Sequence, residues 1–108
     1  MKADKQPVVI ALTAPTREEA EQIGGLLLKR KLAACVQYEN ISSHYVWDGE
    51  ICLDSEVRIV VKTTAECYRD IEEAVLSVHS YECPQILMYP VLRGYRPYLN
   101  WLADQIGL

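Results

Sequence analysis

One long segment sets the architecture of this chain: residues 33–63 read AACVQYENISSHYVWDGEICLDSEVRIVVKT. Asp48-Gly49 at its centre is a strong hairpin signal, because both central residues of a type I′ turn need a positive φ. The segment therefore predicts two long antiparallel strands joined by a two-residue turn. The tip carries Tyr45, Trp47 and Ile51, which would expose apolar surface unless they pack against another chain. The hairpin thus favours an oligomer.

The residues before the hairpin predict one strand and one helix. Residues 8–12 form an apolar run rich in β-branched side chains, which is typical of a strand buried on both faces. Thr16 followed by Glu19 fits a capping box at the start of a helix. Gly24-Gly25 interrupts the helical pattern, and either close packing on a sheet or a kink would explain the pair.

The residues after the hairpin repeat this alternation. Thr63 with Glu66 offers a second capping box for a helix that ends near His79. A strand over residues 85–92 follows, and Pro97 suits the first turn of a closing helix. The order β-α-β-β-α-β plus a terminal helix predicts an α+β, ferredoxin-like fold. In that fold an antiparallel four-stranded sheet carries its helices on one face.

Length and composition point to one globular domain over residues 1–108, with residues 1–7 as a polar tail. The chain has 108 residues, of which 50% are hydrophobic and 24% charged. A net charge of −4 argues against a nucleic-acid partner. No apolar stretch approaches the roughly 18 residues of a membrane span, so no membrane insertion is expected. The polar N-terminus lacks signal-peptide character, and the expected location is the cytoplasm, where cysteines stay reduced.

Several chemistries common on this fold lack their residues here. A copper chaperone would place a Cys-x-x-Cys loop after the first strand, whereas residues 12–15 read Leu-Thr-Ala-Pro. An RNA-recognition domain would place aromatic residues on the third strand, and residues 57–62 contain none. The sequence holds no phosphate-binding glycine loop and no evident nucleophile–base pair. These observations predict a protein that is not an enzyme.

The chain resembles the CutA family, the divalent-cation tolerance proteins, from Val8 to Leu102. The motifs that carry the resemblance, in family order and spacing, are Val8-Val9 with Thr13-Ala14-Pro15, Lys31-Leu32-Ala33-Ala34-Cys35-Val36, Tyr45-x-Trp47-x-Gly49-x-Ile51, Glu56-Val57, Lys62-Thr63, His79-x-Tyr81-Glu82-x-Pro84-x-Ile86, Pro90-Val91 and Tyr98-Leu99-x-Trp101-Leu102. Each motif alone is weak, and together they are specific. The resemblance implies a homotrimer whose hairpins reach neighbouring subunits, with a shape akin to the trimeric PII signal-transduction proteins. It also ties the chain to copper and other divalent ions, with no obligatory cofactor.

The best local set of metal ligands is His79, Glu82 and Cys83, since imidazole and thiolate suit copper and a carboxylate can add an oxygen. The positions of the family's other proposed copper ligands hold Leu12 and Val78 here. A histidine that only caps a helix C-terminus, where its protonated ring gains from the dipole, is the favoured interpretation. We therefore expect weak metal binding at most.

A second hypothesis places a charged pair, Lys62 and Glu82, with Tyr81 in a groove between subunits. Such a groove could hold a small polar or anionic ligand, as in a PII-like sensor, or the pair could be an interface salt bridge. The aromatic residues of the hairpin tip are predicted to anchor the trimer interface together with Ile51, because aromatic side chains concentrate in interface cores.

Overall fold

The computed structural model describes residues 5–107. Its elements, in chain order, are β1 (Pro7–Ala14), α1 (Arg17–Lys29), β2 (Cys35–Trp47), β3 (Glu50–Thr64), a short 3₁₀ turn (Ala65–Cys67), α2 (Tyr68–Val78), β4 (Ile86–Pro90) and α3 (Arg96–Asp104). The strands form one antiparallel sheet in the order β2-β3-β1-β4. This topology confirms the predicted ferredoxin-like fold. Among the described residues, no helix is both long and apolar enough to cross a membrane.

The core lies between one face of the sheet and helices α1 and α2. Alternate side chains of β1, from Val8 to Ala14, and of β3, from Val57 to Val61, are buried there. The period of two in strands places the intervening residues, such as Lys62, on the opposite face. The Lys62 ammonium lies 6.0 Å from the centre of the Tyr98 ring, so α3 begins over that second face. The expectation that all helices share one face is therefore correct only for α1 and α2.

The β2–β3 hairpin extends well past the rest of the sheet. Its pairing runs from Cys35 opposite Lys62 to Trp47 opposite Glu50, whereas β1 pairs with β3 only as far as Val57. Residues 41–56 thus form a two-stranded arm, and the subunit measures 48 Å along its longest axis. The turn is as predicted, with φ of 54° at Asp48 and 80° at Gly49.

The two predicted capping boxes have different outcomes. At the start of α1 the Glu19 amide donates to Thr16 Oγ1 at 3.1 Å, which is the expected cap. The second box is wrong, because Thr63 is a buried residue of β3 whose hydroxyl donates to the Leu32 carbonyl at 2.7 Å. The Glu66 carboxylate instead contacts the Lys5 ammonium at 2.7 Å. The last strand is also shorter than predicted, because β4 ends at Pro90 rather than at residue 92.

The glycine pair of α1 separates into one constrained and one free position. A Cβ at Gly24 would fall against the Tyr38 hydroxyl and lie 3.0 Å from Val36 Cγ1, so α1 packs closely on β2 here. A Cβ at Gly25 would meet nothing within 4 Å. Close packing rather than a kink therefore explains Gly24, and Gly25 has no packing role.

We expect Gly25→Ala to raise the free energy of unfolding by about 0.5–1 kcal/mol, because alanine is the better helix former. Gly24→Ala should lower it by about 1–3 kcal/mol, because the added methyl group overpacks the helix–sheet contact. Urea unfolding of both variants at one protein concentration tests the pair. Shifts of the same sign would contradict the packing described above.

Candidate functional site

A cleft of about 670 Å³ lies between the arm and the segment that joins α2 to β4. Residues singled out in the sequence line both of its walls: Tyr45, Trp47, Tyr81, Glu82 and Cys83. The arm also contributes His44 and Glu56, and the end of β1 contributes Thr13. The site therefore depends on how the connecting segment, residues 79–85, is fixed against the sheet.

His79 fixes the beginning of that segment. Its side chain is 1% exposed and lies where α2 ends. Nε2 is 2.7 Å from the Thr13 carbonyl oxygen, to which it donates, and Nδ1 accepts from the Tyr81 amide at 3.0 Å. The Tyr81 ring also stacks obliquely on the imidazole, with 4.8 Å between the ring centres. His79 thus joins the end of β1 to the backbone of the connecting segment.

Glu19, the capping residue of α1, provides a second anchor for this segment. Its Oε2 accepts hydrogen bonds from the Ser80 amide at 2.9 Å and from the Ser80 hydroxyl at 3.0 Å. The same oxygen lies 3.4 Å from His79 Nδ1. A carboxylate that accepts several hydrogen bonds in this way holds its donors more firmly than a neutral acceptor would.

Two tyrosine–carboxylate pairs form the boundary between the cleft and the arm. The Tyr81 hydroxyl donates to Glu56 Oε2 at 2.5 Å, and the Tyr45 hydroxyl donates to the Asp54 carboxylate. The hydrogen bond to Asp54 raises the pKa of Tyr45 to about 12. Burial, followed by the hydrogen bond to Glu56, raises the pKa of Tyr81 further. Both phenols therefore stay protonated and neutral at physiological pH.

The residues predicted as a metal centre are not brought together. Both ring nitrogens of His79 are hydrogen-bonded within the protein, whereas Glu82 and Cys83 are exposed in the cleft. Over residues 5–107 no group of three or more His, Cys, Asp or Glu side chains could hold a metal ion. Leu12 is fully buried in the core and offers no ligand atom. The side chains of one subunit therefore do not fit a dedicated copper site.

The residues predicted for a groove between subunits lie in two different places on one subunit. Tyr81 and Glu82 line the cleft, but Lys62 is not among its lining residues and lies near Tyr98 instead. Lys62 is opposite Cys35 in β2 and Val9 in β1, within the body of the sheet rather than in the arm. The cation that favoured an anionic ligand is consequently separate from the cleft.

The predicted interface residues divide between the two faces of the arm. Ile51 is opposite Val46, and together with Leu53 these side chains form one apolar face, which is 66–77% exposed. Tyr45 and Trp47 alternate onto the other face, which lines the cleft, and are less exposed at 40% and 51%. A second exposed apolar stretch, Leu87–Tyr89, lies on the edge strand β4. One subunit alone covers neither apolar surface.

The fold and the site define a small α+β protein of ferredoxin-like topology, with a long exposed arm beside a cleft. Residues 8–105 match the model of the family described as CutA1 divalent ion tolerance protein, and the chain belongs to this family. It is 39% identical to the divalent-cation tolerance protein CutA of Archaeoglobus fulgidus, over 90% of this chain and 95% of that one. The CutA protein of Thermus thermophilus is 37% identical, over 92% and 97% of the two chains.

Solved structures agree with this family membership. The structure of the A. fulgidus protein, described there as a periplasmic divalent cation tolerance protein, has a TM-score of 0.91 at 38% identity. It covers 94% of this chain and 99% of its own. CutA1 from Oryza sativa has a TM-score of 0.92 at 29% identity, with 98% of each chain covered.

Sequence reasoning missed the residues that build the cleft through long-range contacts. Glu56 meets Tyr81 across 25 residues, and Glu19 meets Ser80 across 61. The signals at Glu56 were its place in the Glu56-Val57 motif and the local alternation, which places its carboxylate on the face opposite the buried Val57. No local pattern marks Glu19 as more than a capping residue.

Proposed function

We propose that this chain acts in divalent-cation tolerance as a non-enzymatic homotrimer in the cytoplasm. The observation that carries this proposal is its membership of the CutA family over nearly its whole length. All four cysteines are free thiols, which is consistent with a reducing compartment. Copper is the leading ion only by the family resemblance, and the cytoplasmic location is likewise part of the proposal.

The exposed face of the arm supports the oligomer. Three large apolar side chains, Val46, Ile51 and Leu53, lie on a two-stranded hairpin, a unit that is at best marginally stable alone in water. Contiguous apolar surface of this kind marks protein–protein contacts. The exposed apolar stretch on β4 is a second surface that assembly with a neighbouring copy would cover. That the copies number three follows from the resemblance.

Metal binding in this proposal is weak and involves Glu82 and Cys83 rather than His79. Both are exposed in the cleft, and thiolate and carboxylate are ordinary ligands for a divalent transition metal. Two ligands leave most of the coordination shell to water, so a tight site is not expected. Tolerance would then depend on the assembled protein rather than on a high-affinity centre in each subunit.

Isothermal titration with zinc(II), which does not oxidise thiols, tests this assignment. We expect small binding heats in the wild-type protein and still smaller heats in Cys83→Ser. The matched control is Cys52→Ser, which alters a half-buried thiol of the arm outside the cleft lining. A strong binding step that saturates at one equivalent per subunit would overturn the proposal of weak binding. Equal losses in the two variants would overturn the role of Cys83.

A second candidate function is a PII-like sensor that binds a small ligand and signals to another protein. The observation that favours it is the cleft itself, whose volume of about 670 Å³ falls within the range of small-molecule sites. The ligand site in this candidate contains Tyr81 and Glu82 but not Lys62. It differs from the first candidate in requiring a specific ligand.

A further inference from the structure

The charge of the cleft favours a cationic ligand over an anionic one. Its charged lining residues are Glu56 and Glu82, and no lysine or arginine of the described chain lines it. Asp54 adds a third carboxylate at the border through its hydrogen bond with Tyr45. An anion would therefore meet two carboxylates and no lysine or arginine here, with His44 as the one basic side chain of the lining, whereas a cation would be attracted at short range.

The aromatic lining adds a second kind of cation recognition. Tyr45, Trp47 and Tyr81 contribute rings to the cleft, and a cation over such a face is attracted by the ring quadrupole. The two tyrosines keep neutral rings because their hydroxyls donate to carboxylates. Each of these carboxylates retains free lone pairs, since an ionised carboxylate has about four acceptor sites. Acceptors and ring faces thus occur in one concave site.

A bare metal ion fits this site poorly. The described residues contain no group of three or more ligand side chains suited to a metal, and aromatic rings supply no strong donor atoms. The large volume also suits a molecule of several heavy atoms better than a single ion. The negative charge, the aromatic rings and the volume of the cleft together favour an organic cation that carries N–H groups.

We propose that the cleft between the arm and residues 80–85 binds an organic cation of the alkylammonium or guanidinium class. Glu56 and Glu82 accept its N–H groups, and Tyr45, Trp47 and Tyr81 enclose its alkyl chain and charge. The proposal rests on the sensor candidate; it shares Glu82 with the weak metal binding proposed above but requires no metal ion. It leaves the opposite face of the arm, with Ile51, free for contacts between subunits.

The fluorescence of Trp47 reports on the cleft directly. The chain has two tryptophans, so Trp101→Phe leaves Trp47 as the single reporter. Agmatine, which carries one guanidinium and one ammonium group, is the probe, and glutarate is a dianion of similar length. We expect agmatine to change the Trp47 emission saturably and glutarate to leave it unchanged. Added salt should weaken agmatine binding, because the carboxylates are partly exposed.

Charge-neutral variants of the two carboxylates locate the site. In the Trp101→Phe background, Glu56→Gln and Glu82→Gln should each weaken agmatine binding about tenfold, since each removes a charge-assisted hydrogen bond. Glu50→Gln is the matched control, because Glu50 is an exposed carboxylate of the arm outside the cleft lining. Its binding should equal that of the background. Equal weakening by all three variants would overturn the site in favour of general attraction to an acidic surface.

Light scattering on the same samples measures the oligomeric state. The ligand-site proposal and the trimer proposal are thereby tested separately. An oligomer that shows no saturable response to agmatine overturns the ligand site and leaves the assembly intact. A response found only after Ile51→Asp dissociates the subunits also overturns it, because a neighbouring copy would then fill the cleft. A saturable response with the expected dependence on Glu56 and Glu82 supports it in whichever assembly is observed.

Discussion

Replacing His79 by alanine is expected to lower the free energy of unfolding by about 2–4 kcal/mol, one of the two largest effects anticipated here. The side chain is 1% exposed, and its two ring nitrogens are hydrogen-bonded to the backbone of Thr13 and of Tyr81. Its loss strands the carbonyl of Thr13, a buried residue, and the amide of Tyr81, and it opens a cavity beneath the connecting segment. Urea unfolding should show a lower midpoint with an unchanged slope.

Val78→Ala is the matched control for this substitution. Val78 precedes His79 and is 37% exposed, so its truncation should change stability by less than about 0.5 kcal/mol. Protein concentration must be the same in all samples, because assembly contributes to the stability of an oligomer. Unfolding of the His79 variant at the wild-type midpoint would contradict the structural role. Loss of zinc binding without loss of stability would restore His79 as a metal ligand.

The second large effect is expected from Ile51→Asp on the exposed face of the arm. Ile51 is 77% exposed in a single subunit, so the substitution costs an isolated subunit almost nothing. In an assembly that buries this face, an unpaired charge costs at least about 3 kcal/mol, or more than a hundredfold in the association constant. Light scattering should then give the mass of one 12.3 kDa chain instead of a trimer.

Leu76→Asp controls for the general effect of an added charge. Leu76 is also an exposed apolar residue, 55% accessible, but it lies on α2 rather than on the arm. We expect this variant to keep the wild-type mass. A trimer in the Ile51 variant would show that the arm face is not the interface, and dissociation of the Leu76 variant would place the contact on the helices.

Much of the fold could be predicted from the sequence because its signals are local. The Asp48-Gly49 turn requires two positive φ values, and alternating apolar residues define the buried faces of the strands. The second capping box failed for a tertiary reason. Thr63 continues the buried alternation of β3, and its hydroxyl finds the Leu32 carbonyl, so the strand outcompetes a local helix start.

The site could be predicted less well, because its geometry arises from contacts between distant segments. Tyr81 and Glu82 were found through their motif and Cys83 as a possible metal ligand, and the structure places all three at the cleft. The orientation of His79 could not be foreseen, since it depends on the Thr13 carbonyl 66 residues away. The sequence alone likewise gives no reason to separate Lys62 from Glu82.

Because β3 is continuous, the position of the arm's tip depends on the orientation of the strand at its base. Residues 50–64 form one unbroken strand that is central in the sheet at one end and reaches the turn at the other. About seven residues separate Glu56 from the tip, a reach of roughly 20 Å at the rise of a strand. A rotation of about 10° at Glu56 would therefore displace the tip by roughly 4 Å. A small rotation at the cleft wall would in this way become a larger displacement at the turn.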